Sequence, residues 1–423
     1  MQEQYWLHLI LIPYSIYALY DIWKNNLSFW RLLRLIYLIF YLGNVVNFFF
    51  IPPPYFLDKI SDNAIKTGNL LFFANLFIME LSAITLRRFI KEHKNNSPIL
   101  KPINTNRYIT FSLIAFAFYE SILLLNGLNI LSIKPYQITK SNTLYFIIST
   151  LIPFGLAARE RLKFKGYFWD ITLLFLLSFF SPSRAQFVFH LFNFFLALSF
   201  FNSLKSSLSI FTKYIVLLIL FGIISLGIKQ QIRVTNHITS ISTKNLLSNT
   251  GNALSMRFMG GIYRTYLKTV ETVIEKKYTT LNGKYHEFIL YCYIPRFLWK
   301  DKPTPAKDYA YRYLDFGKSN TTSWSLTHFG TLLIDFGLIG LFIGSSMLSI
   351  FIVLFEYLLS YLEQHMAHLH KSFFILLNYA FLTFTFSVAE SGIISFFSGI
   401  SLLLISTMIY NIYHLQERKW LKY

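Results

Sequence analysis

The chain has 423 residues, of which 54% are hydrophobic and only 14% are charged, whereas about 25% of residues are charged in a typical soluble domain. With a mean hydropathy of +0.45, this composition excludes an ordinary soluble globular protein and predicts an all-α polytopic membrane protein. The net charge of +19 accompanies no nucleic-acid-binding motif, so we predict no nucleic-acid partner. The single cysteine, Cys292, excludes an internal disulfide and a cysteine metal cluster.

About eleven apolar runs are candidates for membrane-spanning helices, because crossing a hydrocarbon core of about 30 Å takes roughly 17–25 apolar residues. The first run lacks the basic leader and the small-residue cleavage site of a signal peptide, so we predict that it is retained. Several runs are short, and two of them could form one re-entrant pair, so we expect about 9 to 13 spans. The runs are 5–20, 30–51, 68–86, 108–130, 143–158, 167–180, 185–201, 211–228, 326–358, 372–389 and 392–414.

The distribution of Lys and Arg predicts the orientation of these spans. Alternate short connections carry nineteen and five basic residues, and cytoplasmic loops are the ones enriched in basic residues. The N-terminus and the longest connection, 229–325, then lie on the extracytoplasmic side of the membrane. We predict an N-terminal bundle over 1–228 with about eight spans, an extracytoplasmic basic loop over 229–325, and a C-terminal bundle over 326–423 with about three spans.

The 229–325 loop carries fifteen Lys and Arg against six Asp and Glu. Long loops are translocated largely regardless of charge, so we expect this charge to bind phosphate groups at the membrane surface. Association with anionic lipid headgroups is the alternative. Within the loop, residues 253–277 predict an amphipathic helix that carries Arg257, Arg264 and Lys268 on one face. The alternative for this face is a solvated surface, partly neutralised by Glu271 and Glu275.

Two further segments place cations where a phosphate could bind. Ser181-Pro182-Ser183-Arg184 opens the seventh predicted span, where free backbone N–H groups and the arginine would form an anion site; a snorkelling Arg184 is the alternative. In the sequence from Ile294 to Pro303, two prolines restrict the backbone. Three cations of that turn could hold a phosphate, namely Arg296, Lys300 and Lys302.

Two ionisable residues near the predicted outer interface are candidates for proton transfer. His328 begins the ninth predicted span, and a neutral imidazole there could take a proton from a sugar hydroxyl. Asp335 lies on the same helix face but about 10 Å further along it, too far to orient His328. Glu390, between the last two predicted spans, is the alternative base, or else pairs with an arginine of the loop.

Signatures of phosphate-binding glycine loops, zinc proteases and serine hydrolases are absent from the sequence. It also has no Asp-x-Asp of the kind that metal-dependent glycosyltransferases use. We therefore predict no cofactor and no metal, and we expect the cations to neutralise a pyrophosphate leaving group instead.

Taken in order, these segments resemble the oligosaccharide repeat-unit polymerases of bacterial surface polysaccharides (Wzy-type, including O-antigen and enterobacterial common antigen polymerases). The resemblance covers roughly the C-terminal 60% of the chain, and the length and number of spans agree with that family. The matching pieces are Ser-Pro-Ser-Arg184-Ala-Gln, Tyr-Ile-Pro295-Arg296-Phe-Leu-Trp299-Lys-Asp-Lys302-Pro303, Thr-His328-Phe-Gly330, Asp335-Phe-Gly337-Leu-Ile-Gly340 and Ala-Glu390-Ser-Gly392.

The resemblance implies a metal-independent, inverting glycosyltransferase of the C class in the bacterial inner membrane, with its large loop and active site in the periplasm. Donor and acceptor would be undecaprenyl-pyrophosphate-linked oligosaccharides, and a polysaccharide chain-length regulator is a further expected partner beside the lipid bilayer. Arg184, Arg257, Arg264, Arg296, Lys300 and Lys302 would then bind the pyrophosphate, with His328 or Glu390 as the base.

Two other functions remain open from the sequence. A related O-antigen ligase would use a different acceptor, but such ligases place Asn or a similar residue after the histidine, where this chain has Phe329. A lipid-linked oligosaccharide flippase would line a central cavity with intramembrane charges and would lack the large outer loop.

Overall fold

The computed structural model describes residues 5–24, 28–50, 60–90, 193–199, 207–209, 212, 261–291, 294, 298–299, 301–303, 326–365, 381–382, 385, 388–389, 392–394 and 396–397. These residues are mostly helical and include no strand, which agrees with the predicted all-α class. The helices are α1 (Tyr5–Lys24), α2 (Phe29–Phe50), α3 (Asp62–Phe89), α4 (Gly261–Val270), α5 (Phe288–Tyr291) and α6 (Thr327–His365).

Four of these helices, α1, α2, α3 and α6, lie where the sequence predicts spans. Of the described helices, α3 and part of α6, Thr327–Tyr361, are long and apolar enough to cross a membrane. Predicted runs between residues 91 and 192 lie outside the described residues, and those after residue 366 are described only at scattered positions. The number of spans therefore stays a prediction.

The chain divides into two compact units, residues 1–96 with 255–423, and residues 97–254. In the second unit the described residues lie at 193–199, 207–209 and 212, and 193–199 form a helical segment inside a predicted span. Leu196, Ala197 and Leu198 are buried there. All the contacts described below belong to the first unit.

Helix α4, the described part of the predicted amphipathic helix, is buried rather than lying on a surface. It contacts α2, α3 and α6, and Tyr263, Thr265, Tyr266 and Thr269 are fully buried. The Tyr263 hydroxyl donates to Asn69 Oδ1 at 2.8 Å. Burial raises the pKa of the Tyr266 phenol, so this group stays protonated and donates to the Gly68 carbonyl at 3.0 Å. Helix α4 is thus fixed to α3 by buried hydrogen bonds.

The C-terminal end of α4 is joined to the start of α3. A π-helical turn, Glu271–Glu275, follows α4. Ser61, the N-cap of α3, accepts from the Ala64 backbone N–H at 3.0 Å and donates its hydroxyl to Glu275 Oε2 at 2.5 Å. The Ser61 backbone N–H donates to Glu271 Oε1 at 3.2 Å. One serine therefore both caps α3 and holds the π-helical turn beside it.

Replacing Ser61 with alanine should lower the free energy of unfolding by about 1–3 kcal/mol, because both the cap and a hydrogen bond to a carboxylate are lost. Ser61→Thr is the matched control, since threonine keeps the hydroxyl and should cost less than about 1 kcal/mol. Thermal unfolding in detergent measures both. Equal unfolding temperatures for the two variants would contradict this role of Ser61.

At the other end of α3, six charged side chains form what we call the arginine network: Asp21, Arg31, Arg34, Glu80, Arg87 and Glu356. Arg34 is fully buried and bonds Asp21 at 2.6 Å and Glu80 at 2.8 Å. Glu356 of α6 pairs with Arg87 at 3.2 Å and accepts from the Trp30 backbone N–H at 2.8 Å. The network joins the end of α1, the start of α2, the end of α3 and α6, which agrees with the alternating directions predicted for these helices.

The predicted single span over 326–358 is broken at Gly337. This residue has a φ of 68° and a ψ of −159°, which are not helical and which glycine tolerates because it has no Cβ. Leu332 and Gly344 would be about 18 Å apart in a straight helix, yet a Cβ at Gly344 would lie 2.5 Å from the Leu332 side chain. The chain therefore bends sharply at Gly337. Residues 338–365, about 42 Å of helix, suffice alone to cross a bilayer.

Candidate functional site

Residues 327–336, the short first part of α6, carry buried polar side chains where a membrane span would be apolar. Thr327, His328, Thr331 and Asp335 are each 0% exposed. Thr327 begins the helix with a φ of 64°, and its hydroxyl accepts from the Gly330 backbone N–H at 3.1 Å. The Thr331 hydroxyl donates to the His328 carbonyl at 2.8 Å. Hydrogen bonds within the helix therefore satisfy both threonine hydroxyls. His328 and Asp335 are left as the candidates for a chemical role.

His328 is buried without a strong hydrogen bond. Among the described residues, neither ring nitrogen has a hydrogen-bond partner of ordinary geometry, although the Gly344 backbone lies within range of a weak interaction. Gly392 packs directly on the ring, since a Cβ at Gly392 would lie 1.9 Å from His328 Nδ1. Gly392 has a φ of 64°, a conformation that favours glycine. The structure thus brings Gly392, the last residue of the predicted Ala-Glu-Ser-Gly motif, onto the predicted histidine.

Asp335 does not orient His328 but binds His286, a residue that our sequence analysis did not single out. Asp335 Oδ1 accepts from the Tyr285 backbone N–H at 3.1 Å, and Oδ2 accepts from the His286 backbone N–H at 2.9 Å. Oδ2 also lies 2.7 Å from His286 Nδ1. No described residue bonds the other ring nitrogen of His286, which is buried. We call His286, His328, Asp335 and Gly392 the histidine site.

The break in α6 helps to hold the His286 segment in place. Because the helix stops at Gly337, the Ile334 carbonyl is left free and accepts from the Leu281 backbone N–H at 3.0 Å. An apolar cluster also joins three distant segments around the site, through Tyr285, Leu326, Ile334 and Ile394. Val273, Leu281, Phe288 and Ile289 pack against it. Residues far apart in sequence are thereby fixed around the two imidazoles.

Lys302, one of the predicted phosphate-binding cations, is buried in the turn that contains it. Its ammonium donates to the Ile294 carbonyl at 2.8 Å and lies 5.0 Å from the centre of the Phe288 ring. Trp299 packs on Tyr291 with ring centroids 5.2 Å apart. Since Phe288 also touches the apolar cluster, this turn is attached to the histidine site by aromatic contacts.

The structure describes some of the other predicted site residues and leaves the rest undescribed. Arg264 is buried in α4, and Lys268 on the same helix pairs with Glu271. Glu271 therefore neutralises part of the basic face of that helix, as considered from the sequence. Glu275, the second acid considered there, accepts a hydrogen bond from Ser61. The remaining predicted residues lie outside the described part of the chain: Arg184, Arg257, Arg296, Lys300 and Glu390. Where the structure is described, no group of three or more His, Cys, Asp or Glu side chains could hold a metal ion.

His286 was missed because its neighbours in sequence give little sign of a role. It follows the turn Asn282-Gly283, in which both residues have positive φ, and it belongs to the polar loop rather than to a predicted span. Its partner Asp335 is 49 residues away. Only the position of Asp335, an acid inside an apolar run, could have prompted a search for a partner.

Comparison of the chain with protein-family models, with curated proteins and with solved structures finds no match.

Proposed function

We propose that this chain is a repeat-unit polymerase of the Wzy type, a C-class glycosyltransferase with about eleven spans in the bacterial inner membrane. It would join undecaprenyl-pyrophosphate-linked oligosaccharides at the periplasmic face, with inversion and without a metal. The sequence resemblance is the origin of this proposal, and the geometry of the histidine site is its support.

The single observation that carries the proposal is the contact between Gly392 and the His328 ring. The sequence offered His328 and Glu390, two residues before Gly392, as alternative bases for the acceptor hydroxyl, although 64 positions separate His328 from Gly392. The buried His328 imidazole, which has no strong hydrogen bond from the described residues, is the kind of group that can accept a proton. A structural scaffold or a plain lipid anchor needs no such group.

The proposed reaction requires two further properties, which we assign to residues named above. The leaving pyrophosphate gains negative charge in the transition state, and preorganised cations stabilise such charge best where water is excluded. Lys302 is held near the site by Phe288, and Arg184, Arg257, Arg264, Arg296 and Lys300 complete the proposed set. The acceptor hydroxyl must also lose its proton, and we assign the acceptance of this proton to an imidazole or to Glu390.

Deleting the gene should leave surface polysaccharide with a single repeat unit, because export and transfer to the final acceptor continue while polymerisation stops. The measurement is the length distribution of the polysaccharide on a gel, with the intact gene restored as the control. Loss of all exported units would indicate the flippase instead. Full-length polymer retained on its lipid carrier would indicate the ligase, and unchanged polymer would exclude all three functions.

A further inference from the structure

We infer that His286 is the catalytic base of this site and that Asp335 is the residue that positions it. This inference rests on the proposed function, because the proton it concerns is the one released by the acceptor hydroxyl. It changes the sequence-based assignment, in which His328 or Glu390 was the base.

The hydrogen bonds of Asp335 fix the state of the His286 ring. When Asp335 is ionised it only accepts hydrogen bonds, so in a neutral His286 ring the 2.7 Å contact with Asp335 Oδ2 selects the tautomer that carries its proton on Nδ1. The neutral ring then has its lone pair on Nε2, which is the basic atom. A base whose ring is oriented by a buried carboxylate is the arrangement that activates imidazoles for proton transfer.

Asp335 is held more firmly than the ring it orients. Its two oxygens also accept from the Tyr285 and His286 backbone N–H groups, and the side chain is 0% exposed. It lies two residues before the break at Gly337, so the bend of α6 and the bound loop fix it from both sides. The carboxylate can therefore orient the imidazole without moving during a reaction.

The Nε2 atom of His286 is buried and has no partner among the described residues. Buried polar atoms are normally hydrogen-bonded, and an exception calls for an explanation, of which a catalytic role is one. About one-tenth of the His286 side chain as a whole stays exposed, whereas His328 is 0% exposed.

His328 is less suited to accept the proton. Gly392 packs against its Nδ1, it is 0% exposed, and no described carboxylate orients it. Because the apolar cluster joins Tyr285, next to His286, with Leu326, close to His328, we assign His328 to the wall of the site beside the base.

In the reaction the acceptor hydroxyl oxygen attacks the anomeric carbon of the donor. The bond between that carbon and the pyrophosphate oxygen breaks, and its electron pair leaves with the lipid pyrophosphate. The hydroxyl proton passes to His286 Nε2, and the Asp335 carboxylate stabilises the imidazolium that forms. The base is restored when Nε2 releases this proton to water.

The test compares purified variants on lipid-linked repeat units extracted from the deletion strain. His286→Asn is the main variant, because its amide N–H can still donate to Asp335 while no basic Nε2 remains. We expect its kcat to fall by roughly 10²–10⁴-fold, as for loss of a general base, with the KM for the repeat unit unchanged. Asp335→Asn should lower kcat with little effect on KM. The control Glu287→Gln changes an exposed neighbour and should keep full activity.

Each result decides a different point. A His286→Asn protein with kcat within threefold of the unmodified protein would overturn the assignment of the base. Inactivity of the unmodified protein on the same substrate would refute the proposed function itself. If His286→Asn fails to fold, His286→Gln is measured in its place, with the rate divided by the monodisperse protein present. If either His286 variant raised KM without lowering kcat, His286 would be a binding residue and the inference would be overturned.

Discussion

Replacing Gly392 with alanine should abolish polymer formation and destabilise the protein. The new Cβ would lie 1.9 Å from His328 Nδ1 and within 2.9 Å of two carbons of the ring, so the imidazole must move. The left-handed backbone at this position costs a residue with a side chain roughly 1–2 kcal/mol, and overpacking of a close contact typically adds about 1–3 kcal/mol. Surface polysaccharide and thermal unfolding in detergent are the two measurements.

Gly330→Ala is the matched control for this change. Gly330 lies in the same helix as His328, and a Cβ there would meet its neighbours at 3.4–3.6 Å, which is ordinary contact. Alanine is also the better helix former, so this variant should keep both polymer and stability. If Gly392→Ala behaved like Gly330→Ala, the contact between Gly392 and His328 would carry no function.

Replacing Arg34 with alanine should cost about 3–5 kcal/mol of folding free energy, because removal of one partner leaves buried charge uncompensated. Arg34 bonds both Asp21 and Glu80, and its guanidinium lies 5.2 Å from the centre of the Tyr17 ring. Without it, Asp21 retains Arg31 at 3.1 Å, whereas among the described residues Glu80 retains only the Tyr14 hydroxyl at 3.3 Å. The loss should appear in the unfolding temperature and in the amount of protein in the membrane.

Arg31→Ala controls for the loss of a positive charge at this end of the helices. Arg31 is more exposed than Arg34, and ion pairs that solvent reaches contribute little, so its removal should cost about 1 kcal/mol or less. Arg34→Met combined with Glu80→Gln should recover part of the stability, because no buried carboxylate is then left without a partner at Glu80. An Arg34→Ala protein as stable as Arg31→Ala would show that the arginine network contributes little.

The sequence predicted part of the histidine site. It identified His328, the segment around Glu390, and Asp335, and the structure brings His328 together with Gly392 of that segment. It predicted neither the partner of Asp335 nor the burial of Lys302, because both depend on how a polar loop returns to the helices. Spacing along one helix indicates which residues share a face, but it contains no information on the loop that packs against that face.

The arginine network illustrates the same limit. The sequence placed Arg31, Arg34 and Arg87 together on one side of the membrane, and the structure groups them at one end of the helices. The acids that bind them come from three different helices, α1, α3 and α6. Charge counts predict the side on which a residue lies, whereas its partners depend on helix packing.

By itself, the sequence determined that the described chain is helical and where α1, α2, α3 and α6 lie, because apolar length and helical tendency are properties of each segment alone. The tertiary structure decided that α4 is buried between helices, that α6 bends at Gly337, and that Asp335 binds His286 rather than orienting His328. These features arise from contacts between residues distant in the chain, and the free energy of such contacts depends on which surfaces meet.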